Sequence, residues 1–150
     1  FAAATKVGSI LSNKENKIKD ALEFYGRNLG LTFQIADDTL DYNSELKLFG
    51  KEIGNDFYEG KVTLPIILLY QKSNEDEKIK LKELFKKKDR SVEEFKSILI
   101  MIKKYNIIFE CYRKAEHFIN LASNSLSIFN KSKEKDMLQG LTSFSLERTF

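Results

Sequence analysis

Apolar residues recur at intervals of three and four along almost the whole chain. Ile18, Ala21, Leu22, Tyr25, Leu29, Phe33, Ala36 and Leu40 predict one long helix, opened by Asn13 or Asn16 and running to about Asp41. Ahead of it, Phe1 to about Leu11 predicts a shorter helix in which Ala2, Ala3, Ala4 and Gly8 permit close packing, and Ser12-Asn13 ends it. Gly26 and Gly30 share one face of the long helix. A glycine inside a helix costs about 1 kcal/mol against alanine, so the pair suggests that another helix or a ligand comes close there; two tolerated glycines are the plainer alternative. Further on, Thr63 caps a helix with Pro65 in its first turn, and Leu64 to Tyr70 reads as central and buried. Asn74 opens a helix to about Lys88, with Ile79, Leu81, Leu84 and Phe85 inward. Ser91 and Glu94 form a capping box ahead of Phe95, Ile98, Leu99 and Ile102. Asn106 breaks or caps the next helix, which places Ile108, Cys111, Tyr112, Ala115, Phe118, Ile119, Ala122, Leu126 and Phe129 at helical spacing. Ser132 opens the last, with Met137, Leu138, Leu141, Phe144 and Arg148. No stretch alternates as a strand would, so the expected architecture is an all-α bundle.

Two features interrupt this pattern. Asp37, Asp38 and Asp41 lie at the end of the long helix. Successive residues turn by about 100°, so Asp37 and Asp41 are one turn apart, where like charges repel and weaken a helix. Water can solvate such a cluster, or a hard cation such as Mg²⁺ can sit on it. The second feature is Tyr42 to Lys61, where Gly50, Gly54 and Gly60 alternate with Lys51, Asp56 and Lys61. Glycines at this density signal turns, and an ordered loop of this length is usually functional. Lysines there could hold a phosphate that a metal on the aspartates also bridges. An EF-hand reading from Asp41 fails because Leu46 stands where the turn glycine belongs.

Composition narrows the classes. The 150 residues suit one domain, and 42% hydrophobic residues suffice for a core. The net charge of +3, with both signs interspersed, argues against a nucleic-acid binder. Lys86-Lys87-Lys88 reads as a solvated helix end. A single cysteine, Cys111, and a single histidine, His117, exclude an intrachain disulfide and the usual zinc sites. No run approaches a membrane span and no signal peptide is visible, so the expected compartment is the cytoplasm. Phe1 opens onto Ala-Ala-Ala-Thr without a capping residue, from which we expect a chain that starts inside a helix. A removed targeting segment is the rival explanation.

The ordered set Phe33-Gln34-Ile35-Ala36-Asp37-Asp38-Thr39-Leu40-Asp41-Tyr42, then Gly50-Lys51, Gly54-Asn55-Asp56 and Gly60-Lys61-Val62-Thr63-Leu64-Pro65 resembles the second aspartate-rich region of the trans-prenyl (polyprenyl) diphosphate synthases. That family's pattern is FQ-x-x-DD-x-x-D followed by GK, G-x-D and GK-x-TLP. Phe1-Ala-Ala-Ala-Thr, Tyr25-Gly26 with Gly30, and Leu146-Glu147-Arg148 extend the likeness more weakly to both sides. The resemblance implies a helical bundle of the isoprenoid synthase type, incomplete, with residues 1–150 forming the C-terminal portion of one synthase domain. It implies Mg²⁺ as cofactor, with Asp37 as principal ligand and Asp38 and Asp41 acting through coordinated water or completing the site. Lys51 and Lys61 would hold the diphosphate of an allylic prenyl substrate. Gln34 and Asp56 would belong to the polar lining, with Asp56 positioning a lysine, and Phe33 would border the prenyl tail or serve as a core aromatic. The second substrate would be isopentenyl diphosphate, and the intact protein a homodimer.

The departures from the family pattern carry equal weight. No second aspartate cluster exists in the chain, and the family's Lys-Thr pair is not present. The expected whole-protein activity is therefore prenyl transfer with chain elongation, while the 150 residues alone are expected to be inactive. A noncatalytic partner subunit, or a relic that binds a full-length synthase, is the alternative. Product length is not legible in this half; the closeness of the aspartate segment to bacterial long-chain enzymes inclines the reading toward a polyprenyl product.

Overall fold

A computed structural model describes residues 1–43 and 53–147. The described elements are α1 (Ala2–Leu11), α2 (Asn16–Leu40), α3 (Asn55–Glu59), α4 (Leu64–Lys72), α5 (Glu75–Lys86), α6 (Val92–Lys104), α7 (Ile107–Ser125), a 3₁₀ turn (Leu126–Ile128) and α8 (Lys133–Glu147). Among the described residues there is no strand. The chain forms two compact units, residues 1–36 with 113–150 and residues 37–112, whose boundaries fall inside α2 and α7.

The first unit centres on Tyr25, Leu29, Ile119, Ala122 and Leu126, with Leu22, Phe129 and Leu138 packed around them. Burying each large side chain of this kind contributes roughly 1.5–3 kcal/mol. Polar ties fix the helices. The Tyr25 hydroxyl donates to the Leu138 carbonyl at 2.8 Å, and burial pushes its pKa up to about 12. Thr5 donates to the Leu22 carbonyl at 2.6 Å. The approach expected at the glycines of α2 comes from α1. A Cβ on Gly26 would lie 2.1 Å from Thr5 Oγ1 and 2.9 Å from Ala2 Cα, and one on Gly30 would lie 3.1 Å from Phe1 Cβ. Gly8 takes no part, since a Cβ there would meet nothing within 4 Å.

In the second unit Pro65, Ile66, Leu68 and Leu69 of α4 are buried, as are Leu81, Phe95, Ile98, Ile102, Ile107 and Cys111. Both Asn74 with Glu77 and Ser91 with Glu94 complete reciprocal capping boxes. Phe57, fully buried, gathers the rings of Tyr58, Phe85 and Phe95 at 5.4, 5.8 and 5.2 Å between centroids.

Several expectations are corrected. Thr63 stands at the N-cap of α4, but its side chain makes no capping bond. Ile67, within the α4 stretch expected to be buried, is exposed, as are Ile79 of α5 and Met137, Leu141 and Phe144 of α8. Helical spacing places each on a stripe, but a stripe is buried only as far as a partner covers it. Arg148 lies outside the described residues. So do Gly50 and Lys51. The stretch from Tyr42 to Lys61, expected as loop, holds the short helix α3.

Candidate functional site

The site is built where α2 ends. Its last turn carries Asp37 and Asp38, and Asp41 follows directly. Helix α3 then begins at Gly54, which occupies the N-cap with φ +92° and has no side chain with which to cap. Asp41 supplies the cap from upstream. Its Oδ1 accepts from the backbone N–H groups of Gly54 and Asn55, both at 3.1 Å, and its Oδ2 accepts from Asp56 N–H at 2.9 Å. The Gly54 N–H also reaches the Asp41 main-chain carbonyl at 2.9 Å. An N-terminal turn with unpaired N–H groups attracts a carboxylate, and a side-chain acceptor there is worth about 1 kcal/mol. Burial pushes the Asp41 pKa up, while the three backbone donors pull it back toward ionisation.

The other end of α3 is a left-handed turn. Gly60 has φ +76°, its N–H reaches the Phe57 carbonyl at 3.0 Å, and the Lys61 N–H reaches the Asp56 carbonyl at 2.8 Å. Lys61 is thereby held to Asp56 twice, because its Nζ also lies 3.3 Å from Asp56 Oδ1. A second carboxylate, Glu59 Oε2, is 2.6 Å from the same ammonium. Glu59 first and then Asp56 raise the Lys61 pKa, so the lysine is a cation at neutral pH. It is more than half exposed. Its pair with the equally exposed Glu59 is of the kind that contributes little and exchanges readily.

Asp37 is exposed and Asp38 half-buried. No group of three or more His, Cys, Asp or Glu side chains among the described residues is placed to hold a metal ion. Asp41 is engaged elsewhere than at a metal in this structure. An ionised carboxylate offers about four lone-pair positions, and three of those on Asp41 already face backbone donors. What fits a divalent cation here is the chemistry of Asp37 and Asp38: adjacent hard oxygen donors, of which Mg²⁺ takes one or two while keeping waters and phosphate oxygens.

Phe33 and Gln34 belong to the first unit and are both exposed. Phe33 is not a core residue; its ring lies 5.6 Å from that of Phe1. Two residues beside the site take places that the sequence did not foretell: Tyr42, which it placed at the end of the aspartate segment without a role, and Arg90. Tyr42 is almost wholly buried, and burial, with Asp41, Asp56 and Asp38 nearby, pushes its hydroxyl pKa well up. Arg90 packs against the Gly60 turn. A lone tyrosine after an acidic cluster and a lone arginine between two capped helices carry no pattern that spacing could reveal.

A profile of the polyprenyl synthetase family matches residues 1–102, which include the aspartates, α3 and Lys61. The chain belongs to the polyprenyl synthetase family. It is 31% identical over 148 residues to a short chain isoprenyl diphosphate synthase of Methanothermobacter thermautotrophicus, covering 99% of this chain and 45% of that protein. Among solved structures, a decaprenyl diphosphate synthase from Rhodobacter capsulatus superposes with a TM-score of 0.91 at 30% identity, over 100% of this chain and 46% of that one. A polyprenyl synthase from Caulobacter crescentus, complexed with calcium and isoprenyl diphosphate, does so with a TM-score of 0.86 at 30% identity, over the same shares. The chain thus spans under half the length of the polyprenyl synthetases it matches, and these neighbours share its all-α isoprenoid synthase fold. A short-chain and a decaprenyl enzyme match it about equally well. Among the described residues no helix is long and apolar enough to cross a membrane.

Proposed function

We propose that this chain supplies the diphosphate-ionising wall of a prenyltransferase that condenses an allylic prenyl diphosphate with isopentenyl diphosphate. The observation that carries the reading is the anchoring of α3 by Asp41, which joins the two ends of the motif and sets the Asp56–Lys61 pair beyond the turn bearing Asp37 and Asp38.

The reaction breaks the C1–O bond of the allylic substrate, and the electron pair leaves with the diphosphate. The π bond of isopentenyl diphosphate attacks the allylic cation, a C–C bond forms, and a proton passes from the resulting cation to an oxygen of the released diphosphate, which restores an alkene. No side-chain nucleophile is needed. Charge builds on the leaving diphosphate, so fixed cations lower the barrier. Lys61 is such a cation: it can exchange its Glu59 contact for a phosphate oxygen while Asp56 stays beside the ammonium and its carbonyl holds the Lys61 backbone N–H. Lys51, by the family pattern, adds a second. Mg²⁺ carried on Asp37 and Asp38, when bound, supplies further neutralisation of the leaving group. Asp41 acts as the anchor that fixes the turn. Gln34 and Phe33 are proposed for the substrate lining on the family motif.

The 150 residues are one wall of such a site, because they hold one aspartate-rich segment. They are therefore expected to bind diphosphate but not to elongate a prenyl chain alone. Homodimerisation belongs to the same proposal. The test is a calorimetric titration of inorganic diphosphate into the chain with and without MgCl₂. Binding that needs Mg²⁺ and weakens in Lys61→Ala supports the reading; no binding, or binding indifferent to both, refutes it. Elongation seen only when the chain is added to a separate full-length synthase would instead favour a noncatalytic partner.

A further inference from the structure

Arg90 stands in the connection between α5 and α6, and its guanidinium points back at α3. Nη1 donates to the Tyr58 carbonyl at 3.4 Å and Nη2 to the Phe85 carbonyl at 2.9 Å. Its Cζ lies 5.3 Å from the centre of the Phe85 ring and 6.0 Å from that of Phe57. A Cβ on Gly60 would lie 2.7 Å from Nη2 and 2.9 Å from Nη1. Nε is buried without a hydrogen-bond partner. Among the described residues no carboxylate forms an ion pair with Arg90, although Lys61, just past the same turn, has two.

A guanidinium half-buried on two rings and two carbonyls, with Glu94 acting on it only at longer range, serves as a clamp. The Tyr58 carbonyl belongs to the last turn of α3, where carbonyls lack helical donors and a cation is favoured. A planar guanidinium can stack on two rings while its fork reaches two carbonyls at once; an ammonium, a compact point charge, matches that geometry less well. The glycine at position 60 serves both the left-handed turn and the room for this side chain.

We propose that Arg90 is a positioning residue for Lys61: it clamps the C-terminal turn of α3 so that the lysine meets diphosphate from a fixed base, with Asp41 fixing the opposite end. This rests on the reading of Lys61 as a diphosphate-binding residue. Arg90 itself touches no substrate.

The test uses Arg90→Gln and the milder Arg90→Lys in the full chain, with two readouts. The first is amide hydrogen exchange at Gly60 and Lys61, whose N–H groups close the turn. The second is calorimetric affinity for inorganic diphosphate in MgCl₂. Both variants should lose protection at Lys61 and weaken diphosphate binding by about tenfold, the scale of one charge-assisted hydrogen bond. In a Lys61→Ala background the Arg90 substitutions should weaken binding no further. Unchanged protection at Lys61, or an Arg90 effect on binding that persists without Lys61, overturns the proposal. If Lys61→Ala weakens binding and the Arg90 variants do not, the clamp alone fails. If Lys61→Ala leaves binding unchanged, the reading of Lys61 fails and takes the clamp with it.

Discussion

The carboxylate of Asp41 and the backbone N–H of Asp56 meet at 2.9 Å, so the last aspartate of the motif caps the helix that carries its downstream partner. Asp41→Ala leaves the N–H groups of Gly54, Asn55 and Asp56 without this acceptor. It should lower stability by about 1–3 kcal/mol, read as a shift of the urea midpoint in metal-free buffer. Asp41→Asn, which keeps one carbonyl oxygen, should lose less. A residue whose only role was metal binding would show no loss without metal, so an unshifted midpoint for Asp41→Ala removes the anchor from the account.

Gly26 and Gly8 make a matched pair. A Cβ at Gly26 runs into the side chain of Thr5 and the backbone of Ala2 and Phe1, whereas one at Gly8 meets nothing. Gly26→Ala should destabilise by about 1–3 kcal/mol, because α1 must move. Gly8→Ala, in the interior of α1, should stabilise by up to about 1 kcal/mol. Thermal melts of the two variants that shift in the same direction would contradict the packing of α1 on α2.

Glu77 governs an acid-sensitive tie between α5 and α6. It accepts from Lys104 Nζ at 2.7 Å, from the Tyr105 hydroxyl at 2.5 Å and from Asn74 N–H at 3.1 Å. Lys104 first and then Tyr105 lower its pKa from 4.5 to about 2. Between those values the unfolded chain binds the extra proton, so stability rises with pH through that window and is lost as pH falls through it. Glu77→Gln should be less stable than wild type above pH 4.5, and the gap should narrow as pH falls toward 2. Urea midpoints taken at neutral pH and at two points inside the window check this; a gap independent of pH would show that charge on Glu77 is not what holds the tie.

Much of this was legible in the sequence because helices leave a period. The capping box of Ser91 and Glu94, the burial of Ile66, Leu68 and Leu69 (though not of Ile67, which is exposed) and the close approach at Gly26 all follow from spacing and residue type. The short helix α3 was not legible, since five residues between two left-handed glycines hold too few turns to show periodicity. Exposure failed at Ile79 and Met137 for a different reason: a stripe says which face is apolar, but not whether a partner covers it. At the site, residue types and order pointed to a diphosphate and a cation. The commitment of Asp41 to three backbone donors was hidden, because it depends on where the chain returns thirteen to fifteen residues later.

Asp37 and Lys61 are proposed to bear on the departing diphosphate of a prenyl substrate. Incorporation of labelled isopentenyl diphosphate into longer prenyl diphosphates, by the natural protein that carries these residues, tests it most directly. With Mg²⁺ present, Asp37→Ala should reduce turnover by at least about a hundredfold, on the scale of losing one charge-stabilising group from an active site, while its circular dichroism and melting point stay those of wild type. A folded Asp37→Ala protein that elongates prenyl chains at near the wild-type rate would remove Asp37 from the ionising site.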